Sequence, residues 1–336
     1  MALMNAATQR GYGGPDVVQL RQIPRPTPGP GQVLVQVRAA PVTAGDARMR
    51  SGKVPRGFGL LMRLVMGWRK PRNPPGWSYA GVVAGVGNGV DQFTTGQRVF
   101  GITGLKGGAH AEFIVVPANG RILPLPDSLT DAEGAAFFFG GLTAAEFLLD
   151  KARLQPGESV LINGATGAVG SAALQIARHA GARATAVASA ANHALARRLG
   201  AVAVIDYRKQ PVEGTYDVIM DVIGTLPWAR AVRHLAPGGR LLLITADLLA
   251  TLGATFRPGR DGCRLIAGTS SESLQMMQRL VALHHAGAYR PVVSLTLAFG
   301  DLARAHALAE TFHKPGNLVV VMSEAGAQDT PVLALK

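Results

Sequence analysis

The stretch Asn163-Gly-Ala-Thr-Gly-Ala-Val-Gly-Ser171 constrains this chain more than any other. It follows the apolar run Ser159-Val-Leu-Ile162, which reads as a buried parallel strand. It opens residues 172–181, where Ala173, Ile176, Ala177 and Ala180 recur at helical spacing and Gly181 supplies a stop. Strand, glycine turn and helix in that order form the cradle a phosphate needs. Gly167 lets the backbone approach a pyrophosphate, and Gly170 lets the helix close on the strand. The turn and first helical N–H groups, at Thr166, Ala168 and Val169, face the anion. The spacing is A-x-G-x-x-G, with Ala165 where the usual fingerprint has its first glycine. In a chain with 42 glycines the bare pattern is equally a structural turn, so its surroundings must decide.

Those surroundings alternate short apolar strands with helical segments: 184–189, then a helix over 191–199 ended by Gly200, then 203–206, Tyr216-Asp-Val-Ile-Met-Asp-Val-Ile223 and Pro237-Gly-Gly-Arg-Leu-Leu-Leu-Ile-Thr245. This predicts an α/β doubly wound parallel sheet with a dinucleotide in the crevice at the strand C-termini. An NAD site usually carries Asp or Glu at the end of the second strand; here the position is Ser189. A hydroxyl can donate to a 2′-phosphate that a carboxylate would repel. Arg197, Arg198, Tyr207 and Arg208 follow downstream, although the arginines read equally well as a solvated helix face. The expected cofactor is NADPH.

At 336 residues the chain exceeds one ordinary core, so two domains are expected. The single Cys263 excludes an intramolecular disulfide and a cysteine-rich zinc site and fits a reducing, cytoplasmic setting. No basic-plus-apolar leader is read at the N-terminus, and the longest uncharged apolar run, near 135–145, looks too short to span a bilayer. The net charge of +13 suits a phosphorylated cofactor. It would also suit nucleic acid or an acidic membrane surface, but no nucleic-acid motif accompanies it.

Residues 1–126 have another texture. Gln32-Val-Leu-Val-Gln-Val-Arg38 alternates with period two, and short strands read from 79–86, 97–100 and 111–116 with glycine turns between them. This is the pattern of an irregular β-barrel preceding the nucleotide fold. Pro28-Gly-Pro-Gly-Gln-Val-Leu-Val, Ala80-Gly-Val-Val-Ala-Gly-Val-Gly, Gly140-Gly-Leu-Thr-Ala, the 163–170 turn and Leu235-Ala-Pro-Gly-Gly-Arg occur together and in order. With them the chain resembles the medium-chain dehydrogenase/reductase superfamily, in its zinc-independent quinone oxidoreductase (zeta-crystallin-like) branch, from Gly11 to about Met322. The resemblance implies a GroES-like β-barrel catalytic domain (1–126 and 286–336) with a Rossmann domain (127–285) inserted in it. It also implies a homodimer formed through the sheet edge at 263–269.

Zinc-dependent relatives place a Cys near residue 42 and a Gly-His-Glu near 76, where this chain has Val42 and Gly76-Trp77-Ser78; no catalytic metal is expected. In relatives a motif resembling Asn-x-x-Asp-x-Tyr-x-Arg-x-Gly lines the pocket. Here it reads Thr43-Ala-Gly-Asp46-Ala-Arg48-Met-Arg50-Ser-Gly52. The candidate catalytic residues are Thr43, as a hydrogen-bond donor, and Arg48, which either stabilises an enolate or lies on the surface. Asp46 is either a cofactor contact or half of an ion pair with Arg50. The resemblance also places Thr143 near the nicotinamide, unless it is an ordinary hydroxyl at a helix N-terminus. It puts Val222, Ile244 and Thr245 beside the nicotinamide ribose, Asn192 where many relatives carry Lys, and Asn317 across the cleft.

Residues 51–72 carry Lys53, Arg56, Arg63, Arg69, Lys70 and Arg72 and no acid, with Leu60, Leu61, Leu64, Val65 and Trp68 at helical spacing. This amphipathic helix is a lid over the pocket, a membrane-surface contact or a packed helix. The expected activity is NADPH-dependent, metal-free hydride transfer to a quinone or an α,β-unsaturated carbonyl. The alternative is a catalytically weak NADPH-binding protein whose occupancy governs a partner contact. No nucleic acid and no integral membrane segment are expected.

Overall fold

Three sheets organise the chain in a computed structural model that describes residues 2–54, 57–245, 260–311 and 314–322. β1 (Leu3–Gln9) and β2 (Val18–Pro24) form an antiparallel ribbon. β3 (Gln32–Pro41) follows. A capping box at Thr43 and Asp46 then starts α1 (Ala44–Ser51), and α2 (Gly59–Met66) comes next. β4 (Ser78–Val86), β5 (Arg98–Ile102), β6 (Phe113–Pro117) and β7 (Ile122–Pro124) complete the first part of the chain. β3 pairs antiparallel with both β4 and β6, and its alternate valines fill the interior: Val33, Val35 and Val37 are almost wholly buried.

α3 (Asp131–Ala145) begins at a second capping box, Thr130 with Glu133, and runs on as a π-helical turn through Lys151. The 131–151 helix has the length and apolarity of a membrane span, which the sequence reading of 135–145 did not anticipate. It is instead the central core helix, with Phe137, Phe138 and Phe147 fully buried beside Phe100.

The second sheet is built from β8 (Ser159–Asn163), α4 (Ala168–His179), β9 (Arg183–Ala188), α5 (His193–Arg198), β10 (Ala201–Asp206), β11 (Tyr216–Asp221), β12 (Leu235–Leu243) and β13 (Arg264–Ala267). All its strands are parallel, in the order β10-β9-β8-β11-β12-β13. Taken from β8 this is 3-2-1-4-5-6, the doubly wound Rossmann order, with its switch point between β8 and β11. The central strands are apolar on both faces, as a sheet covered by helices on each side requires.

After the helix Leu274–His285 the chain returns to the first sheet. β14 (Val293–Ala298) pairs parallel with β15 (Asn317–Val321), and β15 runs antiparallel to β3. The helix Leu302–Glu310 lies between them in sequence. The first barrel is thus a GroES-like half interrupted by a Rossmann half. The polar tail after Met322 lies outside the described residues.

Candidate active site

The glycine turn joins β8 to α4, and two close approaches fix it. A Cβ on Gly170 would sit 2.2 Å from the Gly164 carbonyl oxygen and 2.6 Å from Ala165 Cα, so only glycine lets α4 lie this close to the turn. On the other side of α4, a Cβ on Gly140 would lie 2.2 Å from the Ala168 carbonyl oxygen, so α3 packs directly on the first turn of α4. The N-cap is Gly167, and no side chain caps the helix. The Thr166 carbonyl accepts from the Gly316 N–H at 2.7 Å, and Gly167 bridges Gly316. The returning chain is therefore pinned across the cleft onto the turn.

This geometry suits a dinucleotide. The mouth of α4 offers backbone donors with no competing side chain, and a Cβ on Gly167 would meet nothing nearer than 3.6 Å, so there is open space where a pyrophosphate would lie. At the end of β9, the Asn192 amide donates to the Ser189 hydroxyl at 3.2 Å, and no carboxylate occupies the position. Tyr207, half-exposed after β10, stacks near the Arg208 guanidinium, while Arg197 and Arg198 are exposed on α5.

Val222 and Ile244 leave the ends of β11 and β12 in the same direction, their N–H groups bonded to Asn163 O and Asp221 O. Thr245 carries a buried hydroxyl with no hydrogen-bond partner among the described residues, beside Gly224. With Ile223, Gly224, Ala47, Arg48, Ser51, Lys53, Val54 and Glu310, Thr245 lines an open cleft of about 360 Å³ between the two halves. Arg48 is half-buried there, and burial lowers its guanidinium pKa from the ordinary value.

Several sequence-based assignments land elsewhere. Asp46 does not pair with Arg50. Its carboxylate accepts from the Thr43 N–H at 2.8 Å and the Thr43 hydroxyl at 2.6 Å, closing the cap of α1. Arg50 is fully buried and pairs with Glu310 at 2.8 Å and the Gly13 carbonyl. The ionic alternative therefore holds for Arg50 with a different partner, one from the returning helix Leu302–Glu310. The Thr43 hydroxyl hydrogen is engaged within the cap.

Thr143 is not at a helix N-terminus. It lies well inside α3, because Thr130 and Glu133 start that helix earlier; its hydroxyl donates to the Phe139 carbonyl and lies 3.3 Å from Ser270 Oγ. Asn317 is buried, and both its backbone N–H and its side-chain amide donate to the Val292 carbonyl, so its side chain fixes the crossing strand.

Two groups escaped the sequence reading. Asp221 is wholly buried at the end of β11. It accepts from Asn163 Nδ2 and from the N–H groups of Ile223, Gly224 and Leu226, and so shapes the loop that walls the cleft. A carboxylate ending an apolar strand was a visible signal. Lys314, on the returning segment, gave no signal at all. Burial pushes its ammonium down to about 8, against the opposing pull of the Asp46 charge.

A GroES-like barrel joined to a doubly wound sheet, with an uncapped glycine turn at the switch point of that sheet, defines a nicotinamide-nucleotide-binding oxidoreductase. Residues 29–127 match the alcohol dehydrogenase GroES-like domain family, and residues 199–320 match the zinc-binding dehydrogenase family. The quinone oxidoreductase of Sus scrofa is 31% identical over 326 residues, covering 90% of this chain and 93% of that protein. The quinone oxidoreductase of Rattus norvegicus is 29% identical over 333 residues, covering 94% and 96%. The solved quinone oxidoreductase from Coxiella burnetii has a TM-score of 0.83 at 25% identity, covering 96% of this chain and 100% of that one.

The chain belongs to the medium-chain dehydrogenase/reductase superfamily, in its zinc-independent quinone oxidoreductase branch. Where zinc-binding relatives carry ligands, Val42 is buried and the Trp77 indole donates to Glu272 at 2.9 Å. Among the described residues no three His, Cys, Asp or Glu side chains come together as a metal site.

Proposed function

We propose that this oxidoreductase uses NADPH to reduce a quinone or an α,β-unsaturated carbonyl. One observation carries the reading: an uncapped α4 mouth stands at the switch point of the parallel sheet, beside a second strand that ends in Ser189 rather than in an acid, while the residues that follow the neighbouring β11 and β12 line a cleft with Arg48. The bound dinucleotide would supply the hydride equivalent. The N–H groups of Ala168 and Val169 bind its pyrophosphate, with Gly167 leaving the approach clear, while Ser189, Asn192 and Tyr207 receive the 2′-phosphate. Val222, Ile244 and Thr245 border the ribose and nicotinamide, and the unpartnered Thr245 hydroxyl gains a partner there.

Gly316, held on Thr166 O, keeps the crossing segment and Asn317 over the turn and so excludes water from one side of the cleft. Arg48 stabilises the negative charge that develops on the acceptor oxygen, which is the role left open when the Thr43 hydroxyl is committed to Asp46. Lys314, which feels the Asp46 charge at the start of α1 and is held down to about 8 by burial, returns a proton to that oxygen. The edge position of β13 fits dimerisation through the Rossmann sheet.

The test is consumption of NADPH with a panel of quinones, enones and enoyl thioesters. Turnover with at least one class, lost in Arg48→Ala, is the expected result. Tight NADPH binding with no turnover across the panel would contradict it and favour the regulatory alternative.

A further inference from the structure

The α2 region is inside out for a packed helix. Met62 and Met66 are buried against the body, next to Gly52 and Tyr12, and the Tyr12 hydroxyl donates to the Gly67 carbonyl at 2.7 Å. The larger apolar face points outward: Leu60 (63% exposed), Leu61 (55%), Leu64 (60%) and Val65 (53%), with Trp68 (59%) just past the helix end. At 3.6 residues per turn, the positions 60, 61, 64 and 65 cover about 140° of the helix. These five account for nearly half of the large apolar side chains exposed among the described residues, and the rest are mostly scattered singly.

Along the segment that carries this face the charge has one sign. Lys53, Arg63, Arg69, Lys70 and Arg72 are exposed, and between Asp46 and Asp91 the chain has no acidic residue. Arg63 lies over the Tyr12 ring and donates to the Trp68 carbonyl, which holds the end of the helix in place. Among the described residues no carboxylate pairs with Lys53, Arg69, Lys70 or Arg72. Asn73 bonds the Leu105 carbonyl at 2.6 Å, bringing exposed Leu105 and Lys106 alongside the same segment.

We propose that this face docks on an anionic lipid bilayer, the leucines and Trp68 entering the headgroup boundary and the lysines and arginines meeting anionic headgroups. An apolar ridge ringed by uncompensated cations, on a helix clamped from behind, is the arrangement that interfacial binding requires. An acidic protein groove would satisfy the cations but leave most of so wide a convex ridge in water. The inference is independent of the acceptor the enzyme reduces.

The test is flotation of the purified full chain with phosphatidylcholine vesicles, with and without phosphatidylserine. Binding is expected to the phosphatidylserine vesicles and to be much weaker to phosphatidylcholine alone. Leu61→Ser/Leu64→Ser should weaken binding about tenfold or more, and Arg69→Gln/Lys70→Gln about fivefold per charge removed. Both variants should keep the melting temperature and dinucleotide affinity, since their side chains lie on the surface. The proposal is overturned if the wild type does not float, if it floats equally on both vesicles, or if both variants float as it does. It is also overturned if Leu61→Ser/Leu64→Ser changes the sedimentation of the lipid-free protein, because a second copy would then cover this face.

Discussion

Two alanine substitutions in the glycine turn separate packing from binding. At Gly170 the added methyl would lie 2.2 Å from a backbone oxygen and 2.6 Å from a backbone carbon, so no side-chain rotation relieves it. α4 must back away from β8 by roughly 1 Å. Overpacking of this kind costs about 1–3 kcal/mol, which in a chain of this size lowers the melting temperature by several degrees. A displacement of about 1 Å in a positioning element can also cost on the order of 100-fold in turnover. At Gly167 the same methyl meets nothing nearer than 3.6 Å, and the backbone, at φ −73°, accepts alanine.

Gly167→Ala should therefore melt like the wild type while its dinucleotide affinity falls by about tenfold or more, because the methyl occupies the space over the helix mouth. Fluorescence titration with NADPH and a thermal melt on both variants measure the two effects. The reasoning is refuted if Gly167→Ala binds NADPH as tightly as the wild type, or if Gly170→Ala changes neither stability nor affinity.

Other outcomes follow from individual side chains. Ser189→Asp should weaken NADPH at least about tenfold relative to NADH, because a carboxylate then faces the 2′-phosphate; an unchanged ratio of the two affinities would contradict the placement. The wild type is expected to lose kcat as pH rises through about 8, where Lys314 loses its proton, and Lys314→Met to lack that fall; a fall that persists in the variant assigns it to another group. His306 is fully buried between His110 and Arg50. Burial, with those neighbouring charges, holds its pKa down to about 2. The unfolded chain protonates this histidine near 6.5, so its contribution to stability is complete above that pH and declines by about 1.4 kcal/mol per pH unit as pH falls toward 2. Urea melts at pH 7 and pH 5 should show His306→Leu losing about 2 kcal/mol less than the wild type between them; equal losses would contradict the burial argument.

The Rossmann half was legible in the sequence because parallel strands covered on both faces read as unbroken apolar runs, and the turn at 163–170 is local. Those runs give a doubly wound parallel sheet; the strand order from β8 is seen only in the structure. Contacts made by distant segments were not legible. Arg50 meets Glu310 across 260 residues of chain, and no local pattern distinguishes Glu310 from the nearer Asp46. The start of α3 was legible at Thr130-Asp-Ala-Glu133 and was passed over in favour of the apolar run that follows, so Thr143 was given a helix end it does not occupy.

The α2 helix shows the limit of periodicity. Its spacing gave an apolar face correctly, but that pattern is silent on whether the face turns inward. Met62 and Met66 took the inner side, Met62 fitting the space beside Gly52 and Tyr12. Lys314 comes near Asp46 only because the chain returns to the first half of the molecule.

The most direct measurement is calorimetric titration of the purified wild-type protein with NADPH and with NADH. Saturable one-site binding, tighter for NADPH and weakened about tenfold or more in Gly167→Ala, is the expected result. Absence of heat and of any affinity for both nucleotides would contradict the reading of the α4 mouth as a dinucleotide cradle, and with it every role assigned around the cleft.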